Sequence, residues 1–105
     1  MELNNIQKKK VRSIAQTIKA SVQIGKNEIG DTLLETIIAG LAANEIIKVK
    51  LLQNAILTKT EVSEILEKNI KPDYLYTIGN QFVLYKVSQK KEKQKYSKEI
   101  NKLSS

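Results

Sequence analysis

The sequence has no cysteine and no histidine among its 105 residues. Without cysteine there can be no disulfide, no thiolate metal site and no cysteine nucleophile, a composition that fits a reducing compartment. Without histidine the chain lacks both the commonest general base and the commonest metal ligand. A carboxylate, lysine or serine site stays open, but no motif sets a nucleophile beside a base. No catalytic residue, metal or cofactor is therefore expected. Tryptophan is also missing, and one phenylalanine with four tyrosines makes up the whole aromatic stock. There is no long apolar run. Residues 33–47, the most apolar stretch, are interrupted by Glu35, Asn44 and Glu45 and are too short to span a bilayer. The opening MELNNIQKKK has no apolar segment of signal-peptide length. These absences point to one small soluble domain without a membrane partner, expected in the cytoplasm and as a monomer.

What the chain has in excess is lysine, and its formal charge is +7. Residues 1–26 hold Lys8, Lys9, Lys10, Arg12, Lys19 and Lys26 against Glu2, a balance of +5. Residues 86–105 hold seven lysines against Glu92 and Glu99, again +5, while residues 27–85 come to −3. The excess thus sits at the two ends. Clustered cations gain entropy by releasing the counterions of a polyanion. A solvated basic surface with a solubilising tail is the plainer reading of the same charges.

Hydrophobic spacing sets the element order. Val11, Ile14, Ala15 and Ile18 recur at helical intervals and predict a helix over residues 4–19. Lys8, Arg12, Gln16 and Lys19 fall on its opposite side. Val22-Gln23-Ile24 reads as a short strand. Thr32-Leu33-Leu34-Glu35 has capping-box spacing and predicts the start of a second helix, with Leu33, Leu34, Ile37, Ile38 and Leu41 inward and Asn44 as its stop. Gly40 lies inside that helix, where close packing is the expected reason for it.

Residues 46–52 alternate as a strand, with Ile47, Val49 and Leu51 on one side and Lys48 and Lys50 on the other. Thr58-Lys59-Thr60-Glu61 repeats the capping-box pattern before a third helix, which Lys71-Pro72 ends. Residues 74–78 and 82–87 flank Gly79-Asn80 as a hairpin, with glycine placed for a type II′ turn. Tyr76, Phe82 and Tyr85 are read as sheet-packing residues, and Lys48 and Lys50 as solvated strand-face residues. The result is an α/β fold, a single compact domain of order α-β-α-β-α-β-β with a mixed four-stranded sheet packed with helices. Residues 1–88 form the domain. Residues 89–105 are expected as a basic mobile tail or frayed helix.

The loop GKNEIG connects the first strand to the second helix. Glycine lets backbone approach a ligand closely, helix starts carry unpaired N–H groups, and Lys26 adds a cation. It is not a Walker-type loop, because Asp31-Thr32 follows Gly30 where lysine is required. Taken alone, these residues are read more plainly as an ordinary strand-to-helix connection.

Four motifs occur in order: VRSIA in the lysine-rich first helix, then VQIGKN, then NEIIKVKLL, then IGNQFVLYK. Together, from about Lys8 to Lys86, the sequence resembles the CRM-domain family, in particular its bacterial single-domain YhbY-like members. The resemblance implies a fold similar to the C-terminal domain of translation initiation factor three. It also implies RNA binding and association with precursors of the large ribosomal subunit.

The family's Gly-x-x-Gly loop, comparable to the backbone-clamping loop of KH domains, maps onto Gly25, Lys26, Asn27 and Glu28. Glu28 stands where the family has glycine, and a carboxylate there repels phosphate. The expected RNA-binding residues are therefore Lys8, Lys9, Arg12, Lys19, Gly25, Lys26, Asn27 and Lys86. They would act through phosphate and shape contacts, since lysine serves as a point charge. The competing expectation is a protein-interaction module that binds ribosomes or acidic partners without touching RNA.

Overall fold

Residues 3–26 and 29–103 are described by the computed structural model of the chain. The first helix, α1 (Asn5–Ala15), opens on a capping box in which the Asn4 side chain accepts from the Gln7 N–H and Gln7 reaches back to the Asn4 N–H. It ends a turn sooner than its apolar spacing predicts. Strand β1 (Val22–Ile24) follows. Helix α2 (Asp31–Asn44) has Gly30 as N-cap with no side-chain cap, so Thr32 lies inside the first turn and the predicted Thr32–Glu35 capping box does not form. Glu45, at φ 65°, ends α2 and turns the chain into β2 (Ile46–Leu51).

Helix α3 (Lys59–Ile70) does begin on the expected Thr58–Glu61 box, with bonds of 3.0 and 3.2 Å. The hairpin of β3 (Tyr74–Ile78) and β4 (Gln81–Tyr85) turns at Gly79. Its φ of +58° suits the first central position of a type II′ turn, where a side chain would be strained.

The sheet has the order β1-β2-β4-β3, with β1 parallel to β2 and the other pairs antiparallel. Both faces carry helices, as a layered α/β domain requires. On one face Val22, Val49 and Phe82 line up across three strands, flanked by Ile47 and Leu84. They pack with Ile37 and Leu41 of α2 and with Val62, Leu66 and Ile70 of α3. Gly40 fits this layer, since a Cβ there would stand 3.4 Å from Ile47 Cγ2. On the other face Ile46, Val83 and Tyr85 form a second cluster with Val11 and Ala15 of α1.

The segment after Ser88 differs from the expected tail. It makes a 3-10 turn at Lys91–Lys93 and a short helix, α4 (Ser97–Asn101). Ile100 is 0% exposed and completes the second cluster. Ile100 and the half-buried Tyr96 give the segment a place to dock, and Glu45 gives it polar anchors. The fully buried Glu45 carboxylate accepts the backbone N–H of Ser88 at 2.8 Å and those of Tyr96 and Ser97 at 2.9 Å each. A buried anion is tolerable when bonded in this way.

Gln7 donates to the Ile100 carbonyl, and Lys10 pairs with Glu99 at 2.9 Å. The neighbouring Tyr85 hydroxyl is buried without a hydrogen bond among the described residues. Burial, then the charges of Glu45 and Asp73, push its pKa far above the ordinary phenol value, so the ring stays neutral.

Candidate nucleic-acid interface

Charge divides the molecule by face. Helix α1 carries Lys8, Lys9, Lys10 and Arg12 and no acid. On the opposite side α2 carries Asp31 and Glu35, and α3 carries Glu61, Glu64 and Glu67 against Lys59 and Lys68. A polyanion is therefore attracted to the α1 side and repelled from the other.

The expected contact residues fall into three groups. Lys8, Lys9, Arg12 and Lys19 belong to the α1 side. Lys8 Nζ lies 5.6 Å from the centre of the Tyr74 ring, a cation–π distance, and Arg12 donates to the Tyr74 hydroxyl at 3.1 Å. Tyr74 in turn packs against Tyr76, with ring centres 5.0 Å apart and planes tilted by 32°. Burial raises the Tyr76 pKa, as does the neighbouring Tyr74, so the Tyr76 hydroxyl stays neutral beside the cations. This pairing of a basic helix with two edge-strand tyrosines has no signature in sequence spacing, because Arg12 and Tyr74 are 62 positions apart. Lys19 is exposed and lines a cleft with Ser21, Asn44, Ile46, Ile47 and Tyr96.

Gly25 and Lys26 form the second group, at the far end of the sheet. There Leu52 N–H donates to the Ile24 carbonyl and Leu51 N–H to the Asn80 carbonyl. A cleft of about 420 Å³ opens between the end of β1 and the start of α2, lined by Gln23, Gly25, Gly30, Asp31 and Thr32 among others. Helix α2 lacks a side-chain cap here, and its first residues Asp31 and Thr32 line this space. A Cβ on Gly25 would meet Asn54 and Leu52 at ordinary contact distance, 3.5 Å, so the glycine is not demanded by crowding. Asn27 and Glu28 lie outside the described residues.

Lys86 stands apart from both groups. Its Nζ donates to the carbonyl of Ile70 at 2.7 Å, where a cation complements the negative end of α3. It lines a groove with Ile38, Leu41 and Ile70, on the α2–α3 side of the sheet. The residue that sequence reasoning passed over is Glu45. It follows Asn44 at the end of the second helical pattern, a place that gives no hint that it would be buried. No group of three or more acidic side chains that could hold a metal ion occurs among the described residues. No helix among them is long and apolar enough to cross a membrane.

Comparison with known proteins agrees with this architecture. The family model described as CRS1 / YhbY (CRM) domain matches residues 3–86. The chain is 40% identical over 86 residues to the probable RNA-binding protein YqeI of Bacillus subtilis (strain 168), covering 82% of this chain and 90% of that one. The solution structure of the hypothetical protein SAV1595 from Staphylococcus aureus superposes with a TM-score of 0.67 at 34% identity, covering 85% of this chain and 93% of that one.

Proposed function

The chain belongs to the CRS1 / YhbY (CRM) domain family, and on that premise we propose that it is a non-enzymatic RNA-binding protein acting on ribosomal RNA in precursors of the large subunit. The observation that carries the proposal is the one-sided charge: four cations and no acid on α1, against a −3 balance on α2 and α3 together. Its relative YqeI bears the name of an RNA-binding protein, which supports the same class of ligand. The contacts we assign are Lys8, Lys9, Arg12 and Lys19 on the α1 side and Gly25, Lys26 and Asn27 at the loop, all directed to phosphate. Lys86 keeps its structural bond to Ile70. The protein is proposed to work in the cytoplasm as a monomer.

Crosslinking in cells followed by sequencing of the bound RNA tests the proposal, with large-subunit rRNA as the expected target. In vitro, affinity should fall steeply with salt, with a slope set by the number of phosphates contacted. The double variant Lys19→Glu, Lys26→Glu should bind weakly while melting like the wild type. Co-sedimentation with pre-ribosomal particles that survives nuclease treatment would favour the protein-interaction reading instead.

A further inference from the structure

The sheet face that carries α1 is covered over only part of its length. Its side chains lie in three rows that the strand register defines. The first row is Ile46, Tyr85 and Tyr74, the second Lys48, Val83 and Tyr76, and the third Gln23, Lys50, Gln81 and Ile78. In the first row Ile46 and Tyr85 are buried under α1 and α4.

In the third row Gln23 is exposed, Lys50 and Gln81 are half-exposed, and Ile78 is 60% exposed. In the second row Val83 is buried, but Lys48 and Tyr76 are half-exposed. Across four strands spaced about 4.8 Å apart, the third row is about 14 Å wide. No carboxylate stands in either of these rows. Two lysines on the central strand, two side-chain amides, a tyrosine ring and an exposed isoleucine make up their accessible surface.

We infer that this uncovered part of the sheet is a seat for unpaired RNA bases, a role that rests on the RNA-binding reading above and gives it a strand preference. Lysines alone would serve a duplex and a single strand equally, because both offer phosphate. The amides and the apolar surfaces would not. In an A-form duplex the base faces are stacked and the major-groove edges are out of reach, whereas a single strand exposes both. A four-stranded sheet of this width accommodates about two or three bases.

Ile78 and Tyr76 offer surfaces for base faces, Gln23 and Gln81 offer donors and acceptors for base edges, and Lys48 and Lys50 neutralise the backbone between them. The cations at the two ends frame the seat. Arg12 reaches it through Tyr74, whose ring packs against that of Tyr76. Gln23 belongs to both the third row and the cleft beside Gly25.

The test uses two probes: a labelled single-stranded RNA of about 12 nucleotides with no self-complementarity, long enough to cross the sheet, and the same strand in a blunt duplex. The wild type is expected to bind the single strand more tightly. The uncharged triple variant Gln23→Ala, Ile78→Ser, Gln81→Ala should lose single-strand affinity by about tenfold, on the order of one stacked base, and keep its duplex affinity. A second measurement needs no variant: the single strand should shift the backbone amide signals of Gln23, Lys48, Lys50 and Gln81 in a nitrogen–proton correlation spectrum of the wild type.

Equal single-strand affinity in variant and wild type, or amide shifts confined to α1 and the loop, would overturn the base seat and leave RNA binding standing. If the wild type binds neither probe, the RNA reading itself fails.

Discussion

The two faces of the sheet are built from alternate residues of the same four strands, yet they behave differently. The α2–α3 face is apolar along the strands: Ile47 with Leu84, then Val22, Val49 and Phe82, then Ile24 with Leu51. Two amphipathic helices close over it, and their outer sides are acidic. The α1 face begins apolar at Ile46 and Tyr85 and becomes polar within two rows, at Lys50 and Gln81. One three-turn helix and the docked C-terminal segment cover only the apolar part. A face is covered as far as its apolar side chains extend, because burial of a lysine or an amide brings no gain to offset its lost hydration. The first face holds the fold together, and the second leaves surface free for a ligand.

Substitutions rank along that contrast. The largest effect is expected at Phe82, which is fully buried in the apolar face. Phe82→Ala should cost about 3–5 kcal/mol, measured by urea denaturation. Glu45→Ala comes next, at about 3 kcal/mol, because it strands three backbone N–H groups. It should also free residues 96–101, seen as faster amide exchange there, while α2 and α3 stay protected.

Thr58→Ala removes the cap of the helix that covers the first face and should cost about 1 kcal/mol in thermal or urea unfolding. The same cap gives a small pH effect. The Thr58 backbone N–H, then its hydroxyl, hold the Glu61 pKa below the ordinary carboxylate value. A lowered folded-state pKa stabilises above the unfolded pKa, and that contribution is lost as pH falls through the folded value. Glu61→Gln should flatten this part of the acid limb of the stability curve.

The smallest stability effect is expected at Lys50 in the polar row. Lys50→Ala should change stability by less than about 0.5 kcal/mol and lower the salt slope of RNA binding by about 1. A large loss of stability there would break the distinction between the faces.

Local chemistry made much of this legible beforehand. Thr58 and Glu61 sit at capping distance in sequence and bond as expected, and Gly79 marks the hairpin because its φ excludes other residues at low cost. Alternation along residues 46–51 separated the inward residues from Lys48 and Lys50 before any partner strand was known. At Thr32 the same spacing misled, because Gly30 and Asp31 already start the helix and the threonine falls inside its first turn. The motifs from VRSIA to IGNQFVLYK identified the family, and the match over residues 3–86 bears that out.

The candidate site was legible only as a set of cations and a glycine loop. That Lys8 and Arg12 meet Tyr74, that Lys86 is held by Ile70, and that Lys50 lies between Gln23 and Gln81 depend on strand order and helix placement, which no local pattern encodes.

The sequence by itself determined the elements, their order and the sign of the charge at each end, because capping, periodicity and turn geometry act over a few residues. Tertiary structure alone decided that the C-terminal segment docks and that half of one sheet face stays open. Those outcomes depend on residues far apart in the chain, Glu45 with Ser97 and Gln7 with Ile100. Their worth appears only when the fold brings them together and removes water from between them.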